Sequence, residues 1–161
     1  MTDMEYAKRW AETRTNDLDA HRELFAASRF FAIDSRTVAD HNDDTITNDE
    51  EFAEGMAHYA NKDTANGVGV QTFTVTDVFP GNGHLMIHFD WKLEHADTFY
   101  GLPTKGRTLS CRGSAFLDFD DNGKIEMESS YLEDPKLFEQ IDVPLIRPHY
   151  WDADFDPASL G

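Results

Sequence analysis

The chain has 161 residues, 40% hydrophobic and 12% aromatic, with 31 acidic against 14 basic side chains and a formal charge of −17. That length suits one domain with a sizeable core, over residues 1–161, and the composition is globular rather than disordered. The charge leaves no basic patch to neutralise phosphates, so nucleic acid and anionic membrane are not expected as partners.

In chain order, residues 4–14 read as a helix with Ala7, Trp10 and Ala11 on one stripe. Asn16 then caps a second helix that has acids in its first turn and buries Leu18, Leu24 and Phe25. Arg29-Phe30-Phe31-Ala32-Ile33 is aromatic and β-prone, and Asp34 to Asp44 is polar and loop-like. Asn48 with Glu51 three residues later predicts a capping box, opening a helix to about Ala60 with Phe52, Met56 and Tyr59 on its apolar face.

After Gly69 the period changes to two. Val70 to Phe79 is a strand, Pro80-Gly81-Asn82-Gly83 a turn, and Gly83 to His95 a long strand. One face of that strand carries Leu85, Ile87, Phe89, Trp91 and Leu93; the other carries Met86, His88, Asp90, Lys92 and Glu94. A connection through Tyr100-Gly101-Leu102-Pro103 leads to strands at Arg107 to Phe119 and Lys124 to Leu132, joined by a turn at Asp120-Asp121-Asn122-Gly123. Asp134-Pro135 is read as a cap with proline at the first helical position, opening a short helix with Leu137, Phe138 and Ile141. The tail over 142–161 carries Tyr150, Trp151 and Phe155 and is expected to pack on the domain. Helices first and an antiparallel meander after them predict an α+β domain whose curved sheet wraps the helices, with a ligand pocket at the open end.

The order of Asn16-Asp17-Leu18-Asp19-Ala20, Gly101-Leu102-Pro103-Thr104 with Gly106-Arg107, Phe119 before Gly123-Lys124-Ile125-Glu126, and Leu137-Phe138-Glu139-Gln140-Ile141 resembles the SnoaL-like branch of the NTF2-like superfamily, over roughly residues 5–145. The resemblance implies an NTF2-like cone and a homodimer across the outer face of the sheet. Relatives include polyketide cyclases, ketosteroid isomerases, dehydratases, limonene-epoxide hydrolases and lyases on lignin-derived aromatics, none needing a metal or organic cofactor. In the epoxide-hydrolase branch the long strand presents Arg-x-Asp and the last strand a second Asp; here those positions read His88-x-Asp90 and Ser130. The Tyr and Asn that hold the water there fall on Phe31 and Ile33, and the isomerase base would fall at Ile33, beside Asp34. Only Asp90 matches in place.

Asp90 and His88 are therefore the expected catalytic pair, a carboxylate and an imidazole two residues apart on one face. Ser130, where relatives place an acid, and Tyr59 are expected to line the pocket, as is Phe31. His149, Tyr150 and Trp151 are expected to close its mouth. Glu126 and Glu128 share a strand face with Ser130, and Glu128 is the second carboxylate if the register slips. Lys92 and Glu94 read as a solvated pair at the rim. The histidines show no metal spacing, and Cys111, the only cysteine, reads as a structural thiol in a reducing compartment. With no apolar leader and no run of transmembrane length, the expected location is cytoplasmic. The expected function is cofactor-independent acid–base chemistry of lyase or isomerase type on a small hydrophobic, oxygenated cyclic or aromatic substrate. The alternatives are an epoxide hydrolase of the limonene-epoxide type and a non-catalytic ligand-binding domain. The row Ile87, Phe89, Trp91 and Leu93 is expected to face away from the pocket and to build the homodimer.

Overall fold

A computed structural model describes residues 1–27, 32–36, 45–143, 154, 156 and 158, the backbone alone at 32–36 and 45. Helix α1 (Asp3–Asn16) starts in a capping box: the Thr2 hydroxyl accepts from the Glu5 N–H (3.2 Å) and the Glu5 carboxylate from the Thr2 N–H (2.7 Å). Asp17, not Asn16, caps α2 (Leu18–Arg22), its side chain accepting from the Ala20 N–H at 3.0 Å. Strands β1 (Ala32–Arg36) and β2 (Thr45–Ile46) follow, then α3 (Asp49–Met56). Asn48 caps α3 as expected, but the box is not reciprocal, because the Glu51 carboxylate takes the N–H and hydroxyl of Thr47 instead.

The sheet is built from β3 (Val68–Pro80), β4 (His84–Ala96), β7 (Leu109–Phe119) and β8 (Ile125–Leu132), extended by β1 and β2 in the order β2-β1-β8-β7-β4-β3. Pairing is antiparallel except between β1 and β8. The expected long connection folds into a small hairpin, β5 (Thr98–Phe99) and β6 (Leu102–Pro103), turned by Tyr100 and Gly101, both with positive φ. Helix α4 (Asp134–Gln140) closes the described fold; Glu133 holds its cap position, and Pro135 is its second residue rather than its first. The fold is α+β, with helices against one face of an open, mostly antiparallel sheet.

The alternation along β4 is as read, but its direction is reversed. Leu85, Ile87, Phe89, Trp91 and Leu93 are buried against the helices, and Asp90 is exposed on the far face. The Trp10 ring of α1 sits 5.8 Å from Phe89 and 6.0 Å from Phe73. Each large apolar side chain gains roughly 1.5–3 kcal/mol by leaving water. A helix stripe of Ala7, Trp10 and Ala11 can satisfy that demand only on the apolar face, so the polar face is left to solvent. The row expected to build a dimer is therefore core.

A bulge changes the parity of β8. Asp118 pairs with Met127 and Phe119 with Ile125, which leaves Glu126 as the extra residue. Ile125, Glu128 and Ser130 are all buried while Glu126 is exposed, so Glu126 does not share the face of Glu128 and Ser130. Gly113 on β7 is required for a different reason: a Cβ there would collide with the Phe89 ring, which packs across it.

Candidate functional site

The stripe of α1 that reaches the sheet includes an arginine. Ala7, Trp10, Ala11 and Arg14 follow helical spacing, and Arg14 is 1% exposed. A buried guanidinium requires a counter-charge, and β8 delivers one. Glu128, with no exposed surface, accepts from Arg14 Nη1 at 2.5 Å and Ser130 Oγ at 2.7 Å on one oxygen, and from Trp10 Nε1 at 2.8 Å on the other. The guanidinium is also flanked by aromatic rings. Its Cζ lies 4.4 Å from the Tyr59 centroid, 5.0 Å from Trp10 and 5.4 Å from Phe73.

Burial alone would raise the Glu128 pKa, but the Arg14 charge and the donated hydrogen bonds outweigh it and hold the carboxyl below its ordinary value. Burial likewise pulls the Arg14 pKa down, and the Glu128 carboxylate reverses the sign. Both groups are ionised at neutral pH. His21 completes the cluster on its inner side. Thr13 Oγ1 donates to the Arg9 carbonyl, so His21 Nδ1, 3.0 Å away, is the donor to Thr13, and Nε2 is an acceptor with no donor among the described residues. Burial, then the Arg14 charge, lower the His21 pKa to about 3, so the ring is neutral.

Above this floor lies a cavity of about 220 Å³. Arg14, Tyr59 and Ser130 contribute its polar wall, and Phe73, Phe89, Trp91, Leu93 and Phe99 its apolar walls. Trp91 Nε1 donates to Gln71 Oε1 at 2.7 Å, which fixes the indole at the cavity wall. The β5–β6 hairpin lays Phe99 and Tyr100 along the opening. His58 lines the cavity too and is an exposed residue; partial desolvation of its ring, then the Arg14 charge, lower its pKa. A wider depression of about 970 Å³ lies between α2, α3 and the 120–124 turn, lined by side chains such as Asp19, Arg22, Asp49 and Lys124. We take the smaller cavity as the site, because a buried ionised cluster forms its floor.

Ser130 and Tyr59 are where the sequence reading put them. Asp90 and His88 are not. Asp90 is exposed, and His88 lines an outer groove of about 310 Å³ with Asp77, Arg112, Ser114, Tyr131 and Glu133. The expected acid–base pair is thus outside the cup, for the packing reason given above. Phe31, His149, Tyr150 and Trp151 lie outside the described residues. Lys92 and Glu94 form the expected solvated pair, at 2.7 Å. Cys111 is buried and its thiol is pushed up to about 11 by burial, which makes it a poor nucleophile. Arg14 was not singled out by sequence, although a charged residue at a stripe position of an apolar helix face was the available signal. Among the described residues no group of three or more His, Cys, Asp or Glu is placed to hold a metal ion. No helix among them is long and apolar enough to cross a membrane.

No family model matches this sequence, and no curated protein matches it at a significant level. Solved structures do. A candidate SnoaL-like polyketide cyclase from Shewanella denitrificans superposes with a TM-score of 0.67 at 14% identity, over 87% of this chain and 96% of the other. A hypothetical protein with a ketosteroid isomerase-like fold from Catenulispora acidiphila, in complex with trimethylamine, gives 0.63 at 18%, over 89% and 96%. An LEH-like epoxide hydrolase of M. tuberculosis gives 0.59 at 9%, over 86% and 88%. With an α+β open sheet, an internal cavity at its helix-covered face and these matches over most of its length, the chain has the fold of the NTF2-like superfamily.

Proposed function

We propose that the cavity takes a small, largely apolar, oxygenated ring compound and performs cofactor-independent acid–base chemistry on it, of lyase or isomerase type. The observation that carries this reading is the ionised Arg14–Glu128 pair beneath an aromatic cavity, with Ser130 between the carboxylate and the ligand space. In this scheme a ligand proton passes to Ser130 Oγ as the Ser130 proton passes to Glu128. Arg14 stabilises the negative charge left on the ligand's oxygen, worth most in a site shielded from water. Arg14, Glu128 and Ser130 take the part that the sequence assigned to Asp90 and His88. The names of fold neighbours as a polyketide cyclase candidate and an epoxide hydrolase support chemistry of this general kind, and the trimethylamine complex of another supports small-ligand binding. A cytoplasmic location belongs to this reading as well.

A second reading, a binding domain without chemistry, is favoured by the three donors on Glu128, which make it a weak base. Incubation with cyclic and aromatic compounds, no cofactor added and products followed by mass spectrometry, separates the two. Conversion by the wild type that drops about 10²-fold or more in Glu128→Gln supports catalysis. Binding with no conversion across the panel supports the second reading.

The homodimer is retained here on a different surface. Phe79, Met86, Met127 and Tyr131 are exposed on the outer sheet face, and a second copy would cover them. Phe79→Lys with Met86→Lys should shift sedimentation from dimer to monomer; a wild type already monomeric at micromolar concentration removes the dimer.

A further inference from the structure

Arg14 lines the cavity while its counter-charge does not. Glu128 lies behind Arg14 and Ser130 without exposed surface, so a ligand meets the cationic end of the pair. Glu128 engages the guanidinium at Nη1, and Nε has no acceptor. Nε is itself buried, so Arg14 offers the cavity its positive charge at the lining rather than a free Nε–H. Tyr59, Trp10 and Phe73 flank the guanidinium and hold it in place, so its charge is fixed for a small anion. The protein's charge of −17 does not forbid an anion, because exposed charges are screened beyond roughly 8 Å at physiological salt.

Size adds a second constraint. An apolar cavity of about 150 Å³ is enough for benzene, and this one offers about 220 Å³. That is room for one substituted ring inside the cavity. Phe89 and Trp91 supply flat walls for it.

We infer that the ligand is a single-ring carboxylic acid, held as the carboxylate by Arg14 with its ring against Phe89 and Trp91. This rests on the small-ring reading of the cavity and names the group that orients the ring.

Titration of the full chain with benzoate, benzyl alcohol and 9-anthracenecarboxylate, followed by calorimetry and tryptophan fluorescence, tests it. Benzoate should bind at least tenfold more tightly than benzyl alcohol, and the tricyclic acid should bind more weakly than benzoate. In Arg14→Met/Glu128→Gln, which removes both charges together, benzoate should fall to the level of benzyl alcohol. A nitrogen NMR measurement on the wild type serves even if that variant does not fold: benzoate, and not benzyl alcohol, should move the Arg14 Nε–H resonance. Equal affinities for benzoate and benzyl alcohol, an unmoved Nε–H resonance, or equal binding of the tricyclic acid overturns the inference. Benzoate binding through Arg14 without turnover of any ring compound upholds the inference and removes the catalytic reading. Turnover of neutral rings with no benzoate binding removes the inference and leaves the catalytic reading standing.

Discussion

Removing Arg14 alone is the most informative perturbation of the core. Arg14→Met strands the Glu128 carboxylate at 0% exposure with only Trp10 and Ser130 as donors. Breaking a buried pair from one side costs roughly 3–5 kcal/mol. For a chain of this length ~1 kcal/mol moves Tm by about 2–4 °C, so Tm should fall by roughly 6–20 °C. Arg14→Met/Glu128→Gln behaves differently. Its amide oxygen still accepts from Trp10, its NH₂ takes the place of the oxygen that accepted from Arg14 and Ser130 and can donate to the Ser130 hydroxyl oxygen, and no buried ion remains. The double variant should therefore recover most of the loss, with a coupling energy above about 2 kcal/mol. The pH dependence separates this from a packing defect. In the wild type Glu128 has a folded pKa below its unfolded one, so its contribution is present above the unfolded value and lost as pH falls through the folded value. In Arg14→Met the sign reverses for this group: the folded pKa rises above the unfolded one, so acidification from pH 7 to 5 should destabilise the variant less than it does the wild type, in which His21 sets the slope. Urea denaturation at both pH values gives the readout. A double variant as unstable as Arg14→Met, or a single variant whose stability falls with acid as steeply as the wild type's, refutes the account of Glu128 as the stranded charge.

The buried neutral His21, with a folded pKa of about 3 against an ordinary 6.5, makes the unfolded chain bind more protons below pH 6.5. Its contribution is complete above pH 6.5 and lost towards pH 3, by at most ~1.4 kcal/mol per pH unit; His21→Leu should flatten that slope between pH 6.5 and 5, and an unchanged slope removes His21 as its source. Asp90→Asn, on the exposed outer face, should leave ligand binding within twofold of wild type; loss of binding or turnover would return Asp90 to the site. Gly113→Val should cost about 1–3 kcal/mol through overpacking, because the new side chain meets the Phe89 ring and the Tyr131 carbonyl; an unchanged Tm would mean that Phe89 can move away freely.

The sequence by itself determined most of the helices, strands and turns, because those signals are local, but it read Asp34 to Arg36 as loop where β1 runs on, and it read no hairpin at β5–β6. The two-residue alternation from Leu85 to Leu93, the glycine turns at 80–83 and 120–123, and the cap at Asn48 all depend on near neighbours. It also marked Ser130 and Tyr59 as cavity residues. What alternation cannot say is which face a ligand space adjoins. That depends on where α1 lies, and α1 lies on the apolar face, so the cavity opens among Phe73, Phe89 and Trp91 while Asp90 points to water. Of the two residues that now define the floor, Arg14 was hidden and Glu128 was legible only as a companion of Ser130. Arg14 occupies a stripe position whose burial makes sense only once a carboxylate is opposite. Glu128 shares the Ser130 face as alternation predicts, and the bulge at Glu126 removes Glu126 from that face. Their meeting spans 114 residues of sequence, a separation across which no local pattern carries information, and only the packed sheet and helix bring the two charges to 2.5 Å.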